Sequence, residues 1–317
     1  MAAILHSLAA MRIPVIVLKG APLAEAVYGN IALRPMDDID LLVHEADVPA
    51  TLCALAELNY EAMHAEAHDG DHLAYENEIM LRKRGTEGVL VEVHWSLFDS
   101  PFYQHRLPME WFWQTALSTQ IDGANARTLG PEAQVLYLCG HALLHHGTGG
   151  ETRLIWMHDV GEVIAHYGER LDWEELLSQA RACDLVLPVQ RMLTRLGDNW
   201  HVPIPPPALA KLRGLKPSRQ EERVFRWLTA GRRSVARRMW IDMASMPDWR
   251  QRLRYAWRAL FPSPAYMQHR YRIPHPILLP LYYPYRWLVG LKPRKSPPAV
   301  QVPPSSPSPA ADGVSEK

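Results

Sequence analysis

The stretch Arg34-Pro35-Met36-Asp37-Asp38-Ile39-Asp40-Leu41-Leu42-Val43 constrains this chain more than any other. An apolar run entered through two acids reads as a strand, and side chains in a strand alternate between its faces. Asp38 and Asp40 therefore project from one face, while Ile39 and Leu41 turn inward to a core. Two carboxylates held side by side repel unless a cation sits between them. Hard cations such as Mg²⁺ take oxygen ligands, usually one or two carboxylates together with substrate phosphates. The pair reads as a divalent-metal site for phosphoryl or nucleotidyl transfer. On this segment alone, an acidic turn leading into a strand fits equally well.

A third carboxylate bears on that choice. Gly88-Val89-Leu90-Val91-Glu92-Val93-His94-Trp95 is a β-branched run with one acid in its middle. Charged residues are seldom fully buried without a partner. A strand placing Glu92 beside Asp38 and Asp40 would complete a cradle able to hold two metal ions about 3.5–4 Å apart. An edge strand with Glu92 on its wet face is the alternative for that residue. His94, two positions on, shares its face; acid–base work and packing beneath the site are both open to it.

Taken together, Leu18-Lys19-Gly20, Tyr28-Gly29, Arg34, Asp38-Ile39-Asp40-Leu41-Leu42-Val43 and Glu92-Val93-His94-Trp95 resemble the polymerase-β-type nucleotidyltransferase superfamily, in its bacterial "nucleotidyltransferase family protein" branch. The similarity spans roughly residues 13–95 and weakens to about residue 165. It implies that Gly20 is the turn glycine that opens a helix and holds a triphosphate. It further implies that Asp38, Asp40 and Glu92 are the catalytic and metal-binding carboxylates, with Lys19 and Arg34 neutralising the phosphates. Departures are plain: Ala21 follows Gly20 where the superfamily has a Gly-Ser turn, the spacing from Gly20 to Asp38 is long, and the third carboxylate is Glu. Gly20 would let the backbone approach a phosphate, and a helix starting near Pro22 would aim free N–H groups at it. For Lys19 a solvated strand end, and for Arg34 an ion pair with Asp37, are the structural alternatives.

The net charge is zero, but residues 1–180 carry 10 Lys+Arg against 26 Asp+Glu, and residues 181–317 carry 24 against 8. An acidic first half suits cation binding. The basic second half suits an anionic partner, whether nucleic acid, a membrane surface or another copy's acidic half; mutual attraction of the halves explains it equally. Cys53, Cys139 and Cys183 have no CxxC spacing and read as reduced core thiols of a cytoplasmic protein. The N-terminus reads as a short helix rather than a signal peptide, and no apolar run suffices for a transmembrane segment.

The expected fold is α+β. A small mixed β-sheet nucleotidyltransferase head over 1–107 precedes an all-helical domain over 108–262, a Pro/aromatic-rich extension over 263–295 and a disordered tail over 296–317. Helices are predicted at 1–11, 22–28, 48–58, 131–146, 153–167, 172–183, 185–197, 219–230 and 247–260, and strands at 13–18, 38–44, 60–65, 73–84 and 88–95. His64, His68 and His72 read as a solvated loop rather than a metal set. His141 and His145 share a helix face and could bind metal with Asp159, but a His–Asp hydrogen bond tying two helices is favoured. Arg232, Arg233, Arg237 and Arg238, continued by Arg250, Arg252, Arg254 and Arg258, could meet phosphates, with a solvated helix face as the default. Prolines in 261–290 argue against a long regular helix. The aromatics there, with Arg270, Arg272 and Arg286, suit an interface or a partner groove, or packing back on the helical domain.

The expected chemistry is transfer of a nucleoside monophosphate, AMP from ATP being the favoured case, onto a hydroxyl. Mg²⁺ or Mn²⁺ is the expected cofactor, and an NTP the co-substrate. The acceptor (a protein or peptide, an RNA or a small molecule) is left open. Two alternatives stand: a catalytically weak nucleotide- or partner-binding module, and a nucleic-acid-binding protein using the basic half.

Overall fold

The structure is a computed structural model and describes residues 1–63, 77–85, 90–104, 106–145, 153–230, 235–246 and 248–290. His64, His68 and His72, the 147–150 loop, Arg232, Arg233 and the tail over 296–317 lie outside the described residues.

A mixed five-stranded sheet organises the first third. Its strands are β1 (Ile16–Leu18), β2 (Asp38–Leu42), β3 (Tyr60–Ala62), β4 (Glu78–Lys83) and β5 (Leu90–His94), in the order β1-β2-β5-β4-β3. The pair β2–β5 is parallel, and the other pairs are antiparallel. The register sets Leu18 beside Asp40, Asp40 beside Glu92, and Glu92 beside Met80. Residues opposite one another share a face, so each face can be read from the sequence once the register is known.

One face is apolar. Val17, Leu41, Val43, Val91, Val93, Ile79 and Leu81 pack with Ile4, Leu5 and Leu8 of α1 (Ala2–Ala10) and Leu55 of α2 (Val48–Glu57). The other face begins with Ile16, Leu18 and Leu42, which join a second core shared with the helical region. It continues into the acidic residues. The sheet is thus a wall between two cores, and its polar strip lies under the helices.

Those helices follow as α3 (Pro131–Gly140), continued as a π-helical turn over His141–His145, then α4 (Leu154–Tyr167), α5 (Trp173–Ala182), α6 (Val186–Trp200), α7 (Pro206–Gly214) and α8 (Arg219–Thr229). Side-chain caps mark several starts: Asp172 accepts from the Glu175 N–H at α5, and Ser218 from the Glu221 N–H at α8. The chain continues through α9 (Val235–Ser245), α10 (Trp249–Leu260), α11 (Pro264–Tyr271) and α12 (Leu279–Gly290). Pro284 lies inside α12, so the prolines limit these helices to short lengths without abolishing them.

Three expectations need correction. The region after residue 108 is not purely helical: β6 (Leu117–Ile121) and β7 (Ala124–Thr128) form an antiparallel hairpin packed on β1 and α1. Asp122 (φ 54°) and Gly123 (φ 73°) make its two-residue turn, the backbone that an Asp-Gly pair favours in a hairpin. The helix expected from Pro22 begins earlier, at Gly20, and runs on as a π-helical turn over Leu23–Val27. Of the cysteines, Cys139 and Cys183 are buried, but Cys53 is exposed.

Candidate active site

Asp40 sits at the centre of the polar strip, 2% exposed. Its Oδ1 lies 2.8 Å from Lys19 Nζ and 3.1 Å from His94 Nε2. The same His94 nitrogen lies 3.5 Å from Glu92 Oε2, and Nδ1 lies 3.2 Å from Glu78 Oε2. Asp38, half-buried at the start of β2, is 3.9 Å from Lys19 Nζ. Strand alternation explains the grouping. Positions 38 and 40 on β2, 92 and 94 on β5, and 78 on β4 fall on one face because the register aligns them.

Lys19 reaches this cluster through an unusual backbone. It follows β1 directly with φ 36°, a left-handed conformation that costs a non-glycine residue on the order of 1–3 kcal/mol. Gly20, beside it, is closely approached by Met36: a Cβ there would stand 3.3 Å from Met36 Sδ and 3.4 Å from Met36 Cβ. The turn glycine is therefore a point of close approach, and the strained residue is its neighbour.

The charges control one another. Burial would raise the pKa of Asp40, but the His94 hydrogen bond and the Lys19 ammonium overcome it and hold the carboxyl below the usual range. Burial favours a neutral His94. Hydrogen bonds to Asp40 and Glu92 and the charge of Glu78 outweigh it, pushing the pKa up to about 10. Burial also opposes the Lys19 charge, yet Asp40 and Asp38 raise its pKa. Asp38 is pushed up by burial and then by repulsion from Asp40.

Asp40, Glu92 and His94 each offer a ligand atom within 4.8 Å of the others. Four carboxylates (Asp38, Asp40, Glu78 and Glu92) stand against two basic side chains, Lys19 and His94, so acidic groups outnumber basic ones by two. Oxygen donors with that excess fit a hard divalent ion. His94 could ligate such an ion only through an unprotonated ring nitrogen.

The helical side closes over this strip. Tyr137 of α3 is fully buried; burial, then the nearby charges of Asp40, Glu78 and Glu92, push its hydroxyl pKa well up. Arg34 and Asp159 of α4 join the two halves. Arg34 Nε donates to Asp159 Oδ1 at 2.9 Å and to Oδ2 at 3.2 Å, and Nη2 donates to Oδ2 at 2.8 Å. The Tyr28 hydroxyl donates to Oδ1 at 2.8 Å and lies 2.9 Å from His158 Nδ1. Arg34 is 6% exposed and Asp159 0%.

The structure thus brings Lys19, Asp38, Asp40 and Glu92 together, with Gly20 at their edge. Arg34 is turned to Asp159, not to Asp37. Lys19 is buried on the carboxylates, so it is no solvated strand end. Asp159 binds Tyr28 and Arg34, the latter in the loop before β2. His141 packs edge-on to Trp156, with ring centroids 5.2 Å apart. Sequence reasoning missed Glu78 and the Arg34–Asp159 link. A signal for the link existed: Asp159 lies in the apolar run of α4, where a buried carboxylate requires a partner.

Two solved structures are distantly similar to the chain. The antibiotic-resistance factor ANT(2'')-Ia is 15% identical, matching 63% of this chain and 92% of its own, with a TM-score of 0.39. An antigenic nucleotidyltransferase-like protein from Paracoccidioides brasiliensis is 15% identical over 68% of this chain and 91% of its own, also with a TM-score of 0.39. Likenesses at that level say nothing about substrate. No curated protein matches the chain in sequence. The family described as uncharacterised nucleotidyltransferase matches residues 1–198, which takes in both the carboxylate strip and the Arg34–Asp159 link. The chain belongs to that nucleotidyltransferase family, and with it to the transferases of phosphorus-containing groups.

Proposed function

We propose that the chain transfers a nucleoside monophosphate, AMP from ATP, onto an acceptor hydroxyl at the Asp38–Asp40–Glu92 strip. The observation that carries this is the parallel β2–β5 register, which pairs Asp40 with Glu92 and leaves Asp38 on the same face. Mg²⁺ or Mn²⁺ held by Asp40 and Glu92, with Asp38 alongside, would supply charge neutralisation at the phosphates and at the acceptor oxygen. The chain's own residues do the rest. Lys19 keeps Asp40 ionised and stands ready to exchange it for a phosphate oxygen. Gly20 leaves the backbone approachable. Arg34 acts as a positioning residue: its guanidinium is taken by Asp159, so it braces the loop that delivers Asp38 and does not reach a triphosphate.

The acceptor class, whether peptide, RNA or small molecule, is decided by experiment. Purified protein would be incubated with each α-³²P-labelled NTP, Mg²⁺ or Mn²⁺, and cell lysate, beside the Asp38→Ala/Asp40→Ala variant. Label on an acceptor that disappears with the variant supports the reading. Metal-dependent NTP binding without transfer supports a second reading, a catalytically weak nucleotide-binding module. Two observations favour that one: the hydroxyl missing at Ala21, and Lys19 seated on the central carboxylate. Absence of NTP binding removes both.

A further inference from the structure

Residues 249–290 contain seven arginines and no Asp, Glu or Lys. The same segment is where the protein exposes its large apolar side chains. Among the described residues, Met11, Ile31, Leu33, Leu117, Leu154 and Trp200 are scattered over the first two hundred positions. Twelve more fall between Trp240 and Val289. Scattered apolar residues are ordinary, whereas a concentration of them marks a contact surface.

The concentration has a pattern. On α10, Trp249, Leu253 and Trp257 recur every fourth residue and are 62%, 60% and 65% exposed. Arg250 and Arg254, one position on, border that stripe and are exposed as well. Entering and along α12, Ile277, Leu281, Tyr285 and Leu288 recur at helical spacing and are 76%, 69%, 53% and 65% exposed. The two helices are bound together where Phe261 meets Trp257 at 4.5 Å and Trp287 at 5.5 Å between ring centroids. Trp287 Nε1 donates to the Leu260 carbonyl, and Tyr283 to that of Pro262. The exposed stripes are therefore held by a formed framework.

We propose that this C-terminal surface lies on an anionic lipid bilayer. The charge selects an anionic partner, and the aliphatic residues select among anionic partners. A phosphate backbone offers nothing to Leu253, Ile277, Leu281 or Leu288. A second copy meeting the surface with its own would set seven arginines against seven. The acidic first half of another copy has the right charge, but among its described residues only five large apolar side chains are exposed (Met11, Ile31, Leu33, Leu117 and Leu154), against twelve here. A bilayer interface supplies both: lipid phosphates for the arginines, the headgroup layer for Trp and Tyr, and the acyl boundary for the aliphatic stripe. No helix among the described residues is long and apolar enough to cross a membrane, so α10 and α12 would lie in its plane. Attachment by apolar insertion together with basic charge is what a stable peripheral contact requires. This inference is independent of the proposed transfer reaction.

The test is co-sedimentation of the full chain with vesicles of phosphatidylcholine alone, and of phosphatidylcholine mixed with phosphatidylglycerol. Two variants at exposed positions accompany it, Arg250→Gln/Arg254→Gln and Leu281→Ser/Leu288→Ser, each checked by thermal melting. Binding to the anionic vesicles only, weakened by salt and about tenfold or more by either variant, is the expected result. Failure to bind anionic vesicles overturns the proposal. So does unchanged binding of the Leu281→Ser/Leu288→Ser protein. Light scattering that shows a dimer dissolved by that variant would assign the surface to a second copy. Tighter binding to single-stranded RNA, with vesicles failing to compete, would assign it to nucleic acid.

Discussion

The Arg34–Asp159 pair joins the loop before β2 to α4, and replacing Asp159 tests whether it holds the two halves together. In Asp159→Ala, the Arg34 guanidinium loses three N–H···O contacts of 2.8–3.2 Å, and Tyr28 loses its 2.8 Å acceptor. Arg34 is 6% exposed, so water cannot replace what is lost. Breaking a buried pair by removing one partner costs about 3–5 kcal/mol, because the remaining charge is left uncompensated. For a domain of this size that is a fall of roughly 10 °C in Tm. Replacing both residues with apolar ones of similar volume, Arg34→Met with Asp159→Leu, removes the stranded charge and should recover most of the loss. Urea denaturation of the wild type, both single variants and the double variant gives the coupling energy directly. We expect at least about 2 kcal/mol of coupling. Single variants costing under about 1 kcal/mol, or costs that simply add, would falsify the view of this pair as the link between the halves.

Other contacts in the protein carry expectations of their own. Asp40→Asn, at the centre of the strip, should lower nucleotidyl transfer on the order of 10²–10³-fold, as read by initial rates at a temperature where a circular dichroism melt shows the variant folded. Glu221 accepts the Leu187 N–H at 2.6 Å; burial first, and then Asp184, push its pKa up from 4.5 to about 7. A raised carboxyl pKa means stability that is present below pH 4.5 and lost as pH rises to 7 and beyond. Glu221→Gln should therefore gain on the wild type by a few kcal/mol between pH 4.5 and 8, and parallel curves would refute it. His94 is shifted from 6.5 to about 10, so its contribution is complete below pH 6.5 and disappears as pH climbs through 10. With chelator present, the wild type should weaken across that window, and His94→Gln should show a flatter profile. Gly123→Ala, at φ 73°, should cost about 1 kcal/mol by strain in the hairpin turn, measured by the urea midpoint.

What was legible in the sequence was what depends on local pattern. The alternation around Asp38, Asp40 and Glu92 fixes which side chains share a face within each strand, and the resemblance supplied the order in which the pieces belong. The unread parts depend on contacts distant in sequence. Nothing near residue 34 states that its partner is 125 positions away. Two unmatched buried charges would have suggested it, since each was a liability without the other. The hairpin over 117–128 was missed for a different reason. Its strands are short, and only one of the two, β7, alternates strictly between buried and half-exposed or exposed. The Asp122-Gly123 turn was the stronger signal and local enough to be read.

These two omissions bear on how the site is built. On the sheet face that carries the carboxylates, the fully buried apolar core is confined to Ile16, Leu18 and Leu42. The acidic end of that face cannot be buried against another apolar layer without stranding charge. The helical half meets that requirement in two ways. At the strip it brings the Tyr137 side chain close to the acids. Beside it, Asp159 supplies a negative charge that captures Arg34 away from them. Were Arg34 free to turn inward, it would add a third cation beside Lys19 and His94 and offset half of the excess that favours a divalent ion. The link between the halves and the charge of the site are thus the same feature. A variant that frees Arg34 should weaken metal binding as well as the fold. Asp159→Asn, which preserves shape while removing the charge, separates the two effects by metal titration under conditions where the protein remains folded.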